Sequence, residues 1–164
     1  QMIDYYNDMP SGINVIDKMN EELDDLQKKY DALKQRYEPD YNLEWHIRNA
    51  GRTHVDMANL IYKLYKDKFR CTSIKKNEWY FYDDEEQKWK LSDGAIELRM
   101  KLSNEILKIF EHRAFKILRE GKEDDDDYYK TYNKLKNSTY KNTIIKECKD
   151  LFYDRDFLKN NLIE

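Results

Sequence analysis

Lys75 and Lys76 precede a cluster of rings, with Trp79, Tyr80 and Tyr82 only three to seven positions further on. Paired cations at a turn, backed by aromatic side chains, suit a phosphate backbone and stacked bases. Arg99 and Lys101 add cations to a following helix. A further basic stretch holds Lys130, Lys134, Lys136, Lys141, Lys146 and Lys149, with Glu147 the one acid between Tyr128 and Lys149. The candidate DNA-binding residues are therefore Lys75, Lys76, Trp79, Arg99, Lys101, Lys136 and Lys141. Lysine clusters also arise from composition alone. Twenty-two of the 30 basic residues are lysine, and Lys, Asn, Ile and Tyr share A/T-rich codons.

No other constellation offers chemistry. The sequence contains no GxxxxGK[ST], GxSxG, HExxH or GxGxxG motif. His46, His54 and His112 have no ligand-like spacing, and Cys71 and Cys148 belong to no CxxC pair. These two cysteines read as buried thiols and the histidines as packing or capping residues. Asp83-Asp84 and Asp124–Asp127 fall in turns, and the run Glu123–Asp127 is a solvated loop, since five adjacent like charges repel and have nothing local to pair with. No catalytic residue and no metal ligand is assigned.

The elements that must position the basic residues are mainly helical. Ile16, Met19, Leu23, Leu26, Tyr30, Leu33 and Tyr37 recur in steps of three and four, a heptad stripe on an N-terminal helix. Ser11 is its expected cap and Pro39 its stop. The first six of those residues are the candidate oligomerisation surface, either as a coiled coil or as a face docked on the same chain. Tyr41–Ala50 reads as a connecting stretch. Thr53 caps a helix running to about Lys68, with Val55, Ala58, Ile61, Tyr62, Tyr65 and Phe69 facing inward.

From Phe69 the pattern changes period. Stretches 69–74, 78–83 and 88–91 are rich in β-formers and separated by turn-like triplets and acids, which predicts a three-stranded antiparallel meander. Trp79 and Trp89 are expected to stack across it. Ser92 or Asp93 then caps a continuous helix to about Glu120. The C-terminal region reads as short helices over 128–136, 139–153 and 154–162. The fold class is thus mainly α with a small β meander, organised as residues 1–50 (heptad helix and linker) and 51–164 (a folded domain).

Composition bounds the function classes. The 164 residues carry a net charge of −3, with 38% charged side chains and only two prolines, both in the first quarter. That excludes a proline-rich linker or a collagen-like chain, and no apolar run approaches the roughly 18 residues of a membrane span. An intracellular chain with no membrane partner is expected. It stops at Leu162-Ile-Glu164 without a terminal feature, as a fragment of a larger protein would.

From about Thr53 the succession of motifs resembles the domain between primase and ATPase in poxvirus-type primase–helicases of large DNA viruses. The residues concerned are His54-Val-Asp-Met-Ala58 with Tyr62-Lys-Leu-Tyr65, Phe69-Arg-Cys71, Trp79-Tyr80, Trp89, Leu98-Arg-Met-Lys-Leu-Ser103, and Asn142–Cys148 running into Leu151–Asp154. The resemblance implies a non-catalytic, collar-type piece of a replicative enzyme. It would link a primase to a hexameric superfamily 3 helicase of the AAA+ class and assist assembly and DNA engagement. Expected partners are DNA, the adjacent primase and ATPase domains, and further copies within a hexamer. ATP and Mg2+ are expected only in the ATPase domain, with no cofactor in this piece. The expected location is the viral replication site in the host cell. The alternative is a helical interaction module with no DNA role.

Overall fold

The computed structural model describes residues 12–37 and 41–161, and it is an α+β structure. The chain divides into two units, Gln1–Asp40 and Tyr41–Glu164. Helix α1 (Gly12–Tyr37) makes up the first. Ile16, Met19, Leu23, Leu26, Tyr30 and Leu33 stand 55–62% exposed along it. Ser11, Pro39 and the side chain of Tyr37 lie outside the described residues.

The second unit opens with helix α2 (Tyr41–Asn49), so this stretch is not the connector that its sequence suggests. Ile47 and Ala50 are buried, and α2 packs on helix α3 (His54–Tyr65). Short, amphipathic segments of this kind become helical by burying one face on a neighbour. Gly51, just past α2, allows a close approach to α6, since a Cβ there would come within 2.1 Å of Thr131 Oγ1. Thr53 caps α3 as expected. Its hydroxyl accepts the Asp56 N–H at 3.1 Å and donates to the Asp56 carboxylate at 2.8 Å.

The buried face of α3 is rotated from the expected one. Met57, Ala58, Leu60, Ile61 and Tyr65 are buried, while Val55 is 54% and Tyr62 37% exposed. Contacts with α2 on one side and helix α7 (Ser138–Phe152) on the other decide the orientation. The periodicity of α3 alone fits more than one rotation.

Strands β1 (Phe69–Ser73), β2 (Glu78–Asp83) and β3 (Lys88–Ser92) form the antiparallel meander in the order β1-β2-β3. Trp79 lies opposite Cys71 and Ser92, and Tyr82 opposite Trp89. Alternate residues point to opposite faces, so Trp79 and Trp89 are on different sides and do not stack. Trp79 and Phe81 face the helices. Trp79 is fully buried, with its ring centroid 5.7 Å from that of Phe152. Phe152 also meets Tyr62 at 5.2 Å and Phe69 at 6.4 Å, which makes it the hub joining α7 to the sheet. Trp89 instead packs on Tyr82 and on Phe157 of the short helix α8 (Phe157–Asn160).

The long helix expected after the sheet is interrupted. Helix α4 (Ile96–Lys101) gives way to a π-turn (Leu102–Ile106) before helix α5 (Leu107–Arg119). Leu98, Leu102, Ile106, Phe110 and Ala114 are all buried at steps of four. In an undistorted α-helix each such step drifts by about 40°, so the row would wind off the core. The wider π-turn takes up that drift. Ser92 and Asp93 do not cap α4. Ser92 ends β3, and the N-cap of α4 is Ala95, which has φ +62° and makes no side-chain cap. Two further apolar side chains of this stretch, Ile96 and Leu118, stay 47% and 72% exposed.

Helices α6 (Tyr128–Lys134), α7 and α8 complete the unit. The acidic run before α6 is more than a solvated loop. Asp124 accepts the backbone N–H groups of Tyr128 at 2.9 Å and Tyr129 at 2.8 Å, so one of the five acids caps the helix. The Glu44 carboxylate accepts from Arg113 in a fork, with Nη1 at 2.7 Å, which ties α2 to α5. Cys71 and Cys148 are buried free thiols, and desolvation pushes both thiol pKa values up. Among the described residues no helix is long and apolar enough to cross a membrane.

Candidate nucleic-acid interface

The candidate residues separate into free cations, occupied cations and a buried ring. Lys75 and Lys76 sit exposed on the β1–β2 turn. The turn is made by Asn77 at φ +52° and by the Lys76 N–H, which the Ser73 hydroxyl accepts at 3.2 Å. Neither ammonium group has a partner among the described residues, so both are available to an anion.

Trp79 is not. Its ring is enclosed, and its Nε1–H donates to Asn77 Oδ1 at 3.0 Å, bracing the same turn from below. The ring that shares a surface with the tip is Tyr80. Together with Lys76, Asn77, Glu78 and the 63%-exposed Leu91 it lines a shallow recess of about 460 Å3. Strand alternation could have shown this, because Trp79 and Tyr80 must point to opposite faces. Burial and the nearby Glu78 carboxylate raise the Tyr80 pKa.

Arg99 and Lys141 come together at a helix junction, where they work as fasteners. Arg99 donates to Asn142 and, at 2.7 Å, to Ser138, both on α7. Lys141 on α7 reaches back to Ser103 of the π-turn at 3.0 Å. Lys101 pairs with Glu105 at 3.0 Å and lies over the Tyr65 ring. Lys136 stands 4.0 Å above the Tyr132 ring centroid, and Lys134 donates to the Gly51 carbonyl at 3.3 Å. Among the described residues no hydrogen bond or ion pair joins the hairpin tip to this junction.

The opposite end of the sheet has the opposite sign. An open groove of about 720 Å3 has apolar walls at Leu64, Tyr65, Phe69 and Met100 and carries Asp83, Asp84, Glu85, Glu97 and Glu105. Its two cations are already paired, Lys68 with Asp84 at 2.5 Å and Lys101 with Glu105. The Tyr65 hydroxyl donates to Glu105, which lowers the carboxyl pKa and, with burial, raises that of the phenol. A phosphate backbone would be repelled here. The meander is therefore polarised, with its basic tip on the β1–β2 turn and its acidic tip on the β2–β3 turn. Among the described residues no three His, Cys, Asp or Glu side chains converge as a metal site would require.

What the fold presents is a helix-rich domain that carries, on the tip of a braced β-hairpin, a pair of lysines without partners among the described residues. No protein-family model matches the chain. A protein of Acanthamoeba polyphaga mimivirus named "Putative helicase" is 30% identical to it over 119 residues. The match covers 66% of this chain and 12% of that protein, so the chain is similar to a small part of a much longer relative.

Proposed function

We propose that residues 41–164 form a non-catalytic domain of a viral DNA-replication primase–helicase. It lies between the primase and the hexameric superfamily 3 helicase, helps the two assemble, and engages DNA through Lys75 and Lys76. The similarity to a mimivirus helicase over 66% of the chain is the observation that carries this reading. The free, braced cationic tip gives it a contact point, with Tyr80 beside it as the ring able to meet a base.

The test is fluorescence anisotropy of single-stranded and forked DNA at several salt concentrations. Lys75→Glu with Lys76→Glu should weaken binding and lower the salt slope by about 1.5, because each lost phosphate contact accounts for about 0.7–0.9. An unchanged affinity and slope would remove the tip from the DNA path. A second reading, a self-associating interaction module, draws support from the exposed seam of α1. Light scattering of the whole chain beside one starting at Asp40 tests it.

A further inference from the structure

The seam of α1 is an exposed apolar stripe. From Ile16 to Leu33 it runs about 26 Å, with Ile16, Leu23 and Tyr30 at the a positions and Met19, Leu26 and Leu33 at d. A helix with so many charges gains most of its stability by covering such a face. What covers it can be read from the charges beside it.

We infer that α1 pairs with α1 of a second copy of this chain, and that the two helices run antiparallel. This rests on the self-association reading above and adds its partner and direction. The helix is strongly dipolar in charge. Residues 14–25 contain five acids and one lysine, whereas residues 26–37 contain four basic residues and one acid. A parallel pair sets acid beside acid and base beside base, while an antiparallel pair sets each half against its complement.

The register follows from the seam. Matching a to d layers places Ile16 against the second copy's Leu33, Met19 against its Tyr30, and Leu23 against its Leu26. Every described seam residue then has a partner. The flanking g positions are Glu22 and Lys29, and this register brings Glu22 of each helix beside Lys29 of the other, twice by symmetry. Both side chains are exposed and have no partner among the described residues. The pairs within the helix, Asp24 with Lys28 at 3.3 Å and Gln27 with Asp31 at 2.9 Å, use positions away from this flank. A parallel in-register pair would instead set Glu22 against the neutral Gln27 and leave Lys29 without an acid. An antiparallel contact is two-fold and closes on a pair of chains, so α1 couples copies two by two and does not itself build a ring.

Sedimentation equilibrium of the full chain, combined with charge reversal, tests this. A concentration-dependent dimer is expected. Glu22→Lys should raise its Kd about tenfold, since two attractions become two repulsions, and adding Lys29→Glu to the same chain should restore it. Cross-linking fixes the direction independently. When Ile16→Cys and Leu33→Cys chains are mixed and oxidised, the disulfide should join position 16 to position 33. Native Cys71 and Cys148 are buried and stay silent. Disulfides of 16 to 16 with no effect of Glu22→Lys would overturn the antiparallel arrangement while leaving self-association standing. A chain that stays monomeric at high concentration would overturn both.

Discussion

Replacing Trp79 by Phe separates a structural ring from a ligand-contacting one. The indole is fully buried, lies 5.7 Å from the Phe152 centroid and donates to Asn77 at 3.0 Å. Complete truncation of such a ring costs about 3–5 kcal/mol, so removing part of it to leave a phenyl group should cost about 2. The lost hydrogen bond adds about 0.5 kcal/mol, because Asn77 on its half-exposed turn can turn to water. A total near 2.5 kcal/mol is a large share of the roughly 5–15 that hold a domain together. It should lower Tm by roughly 7–10 °C. Urea and thermal denaturation followed by far-UV circular dichroism measure the loss. DNA titrations, run where the variant is still folded, should show the wild-type affinity and salt slope. Unaltered stability together with lost DNA binding would mean that the ring reaches the ligand, and the enclosed position assigned to it would be wrong.

Asp124→Ala removes the acceptor of the Tyr128 and Tyr129 N–H groups and should cost about 1 kcal/mol by urea denaturation. Asp125→Ala, in the same acidic run but exposed, should change little. Glu44 has its pKa held below the ordinary carboxylate range by the Arg113 guanidinium. Its contribution is therefore present above the normal glutamate pKa and disappears as the pH falls through the lowered one. Glu44→Gln should lower the unfolding free energy from urea denaturation at neutral pH by about 1 kcal/mol and converge with wild type in acid. Gln87, exposed at φ +52° in the β2–β3 turn, sits where glycine is at ease. Gln87→Gly should raise stability by about 0.5–1 kcal/mol in the same assay.

The meander and most helices were legible because their signals are local. Aromatic and β-branched runs between turn residues mark strands, and Thr53 marks a helix start by a side chain reaching three residues along. The stripe on α1 is likewise a property of spacing. The lysine pair at the hairpin tip was legible for the same reason, since a turn exposes whatever it carries. What the sequence by itself determined is therefore where chain segments become regular and which residues occupy their turns.

Tertiary packing decided which candidate cations remain free. Arg99 and Lys141 look like any surface basic residues until α4 and the π-turn are laid across α7, where they find Ser138, Asn142 and Ser103. Partners some forty positions away leave no periodic trace. The π-turn itself answers a five-residue row that must keep facing one core. The same holds for Trp79, the ring nearest the basic tip in sequence. Strand parity sends it into the core under Phe152 and turns Tyr80 to the opposite face, half-buried against Phe157. Local propensity acts between near neighbours along the chain, but burial and charge pairing depend on which surfaces meet, and only the folded arrangement fixes that.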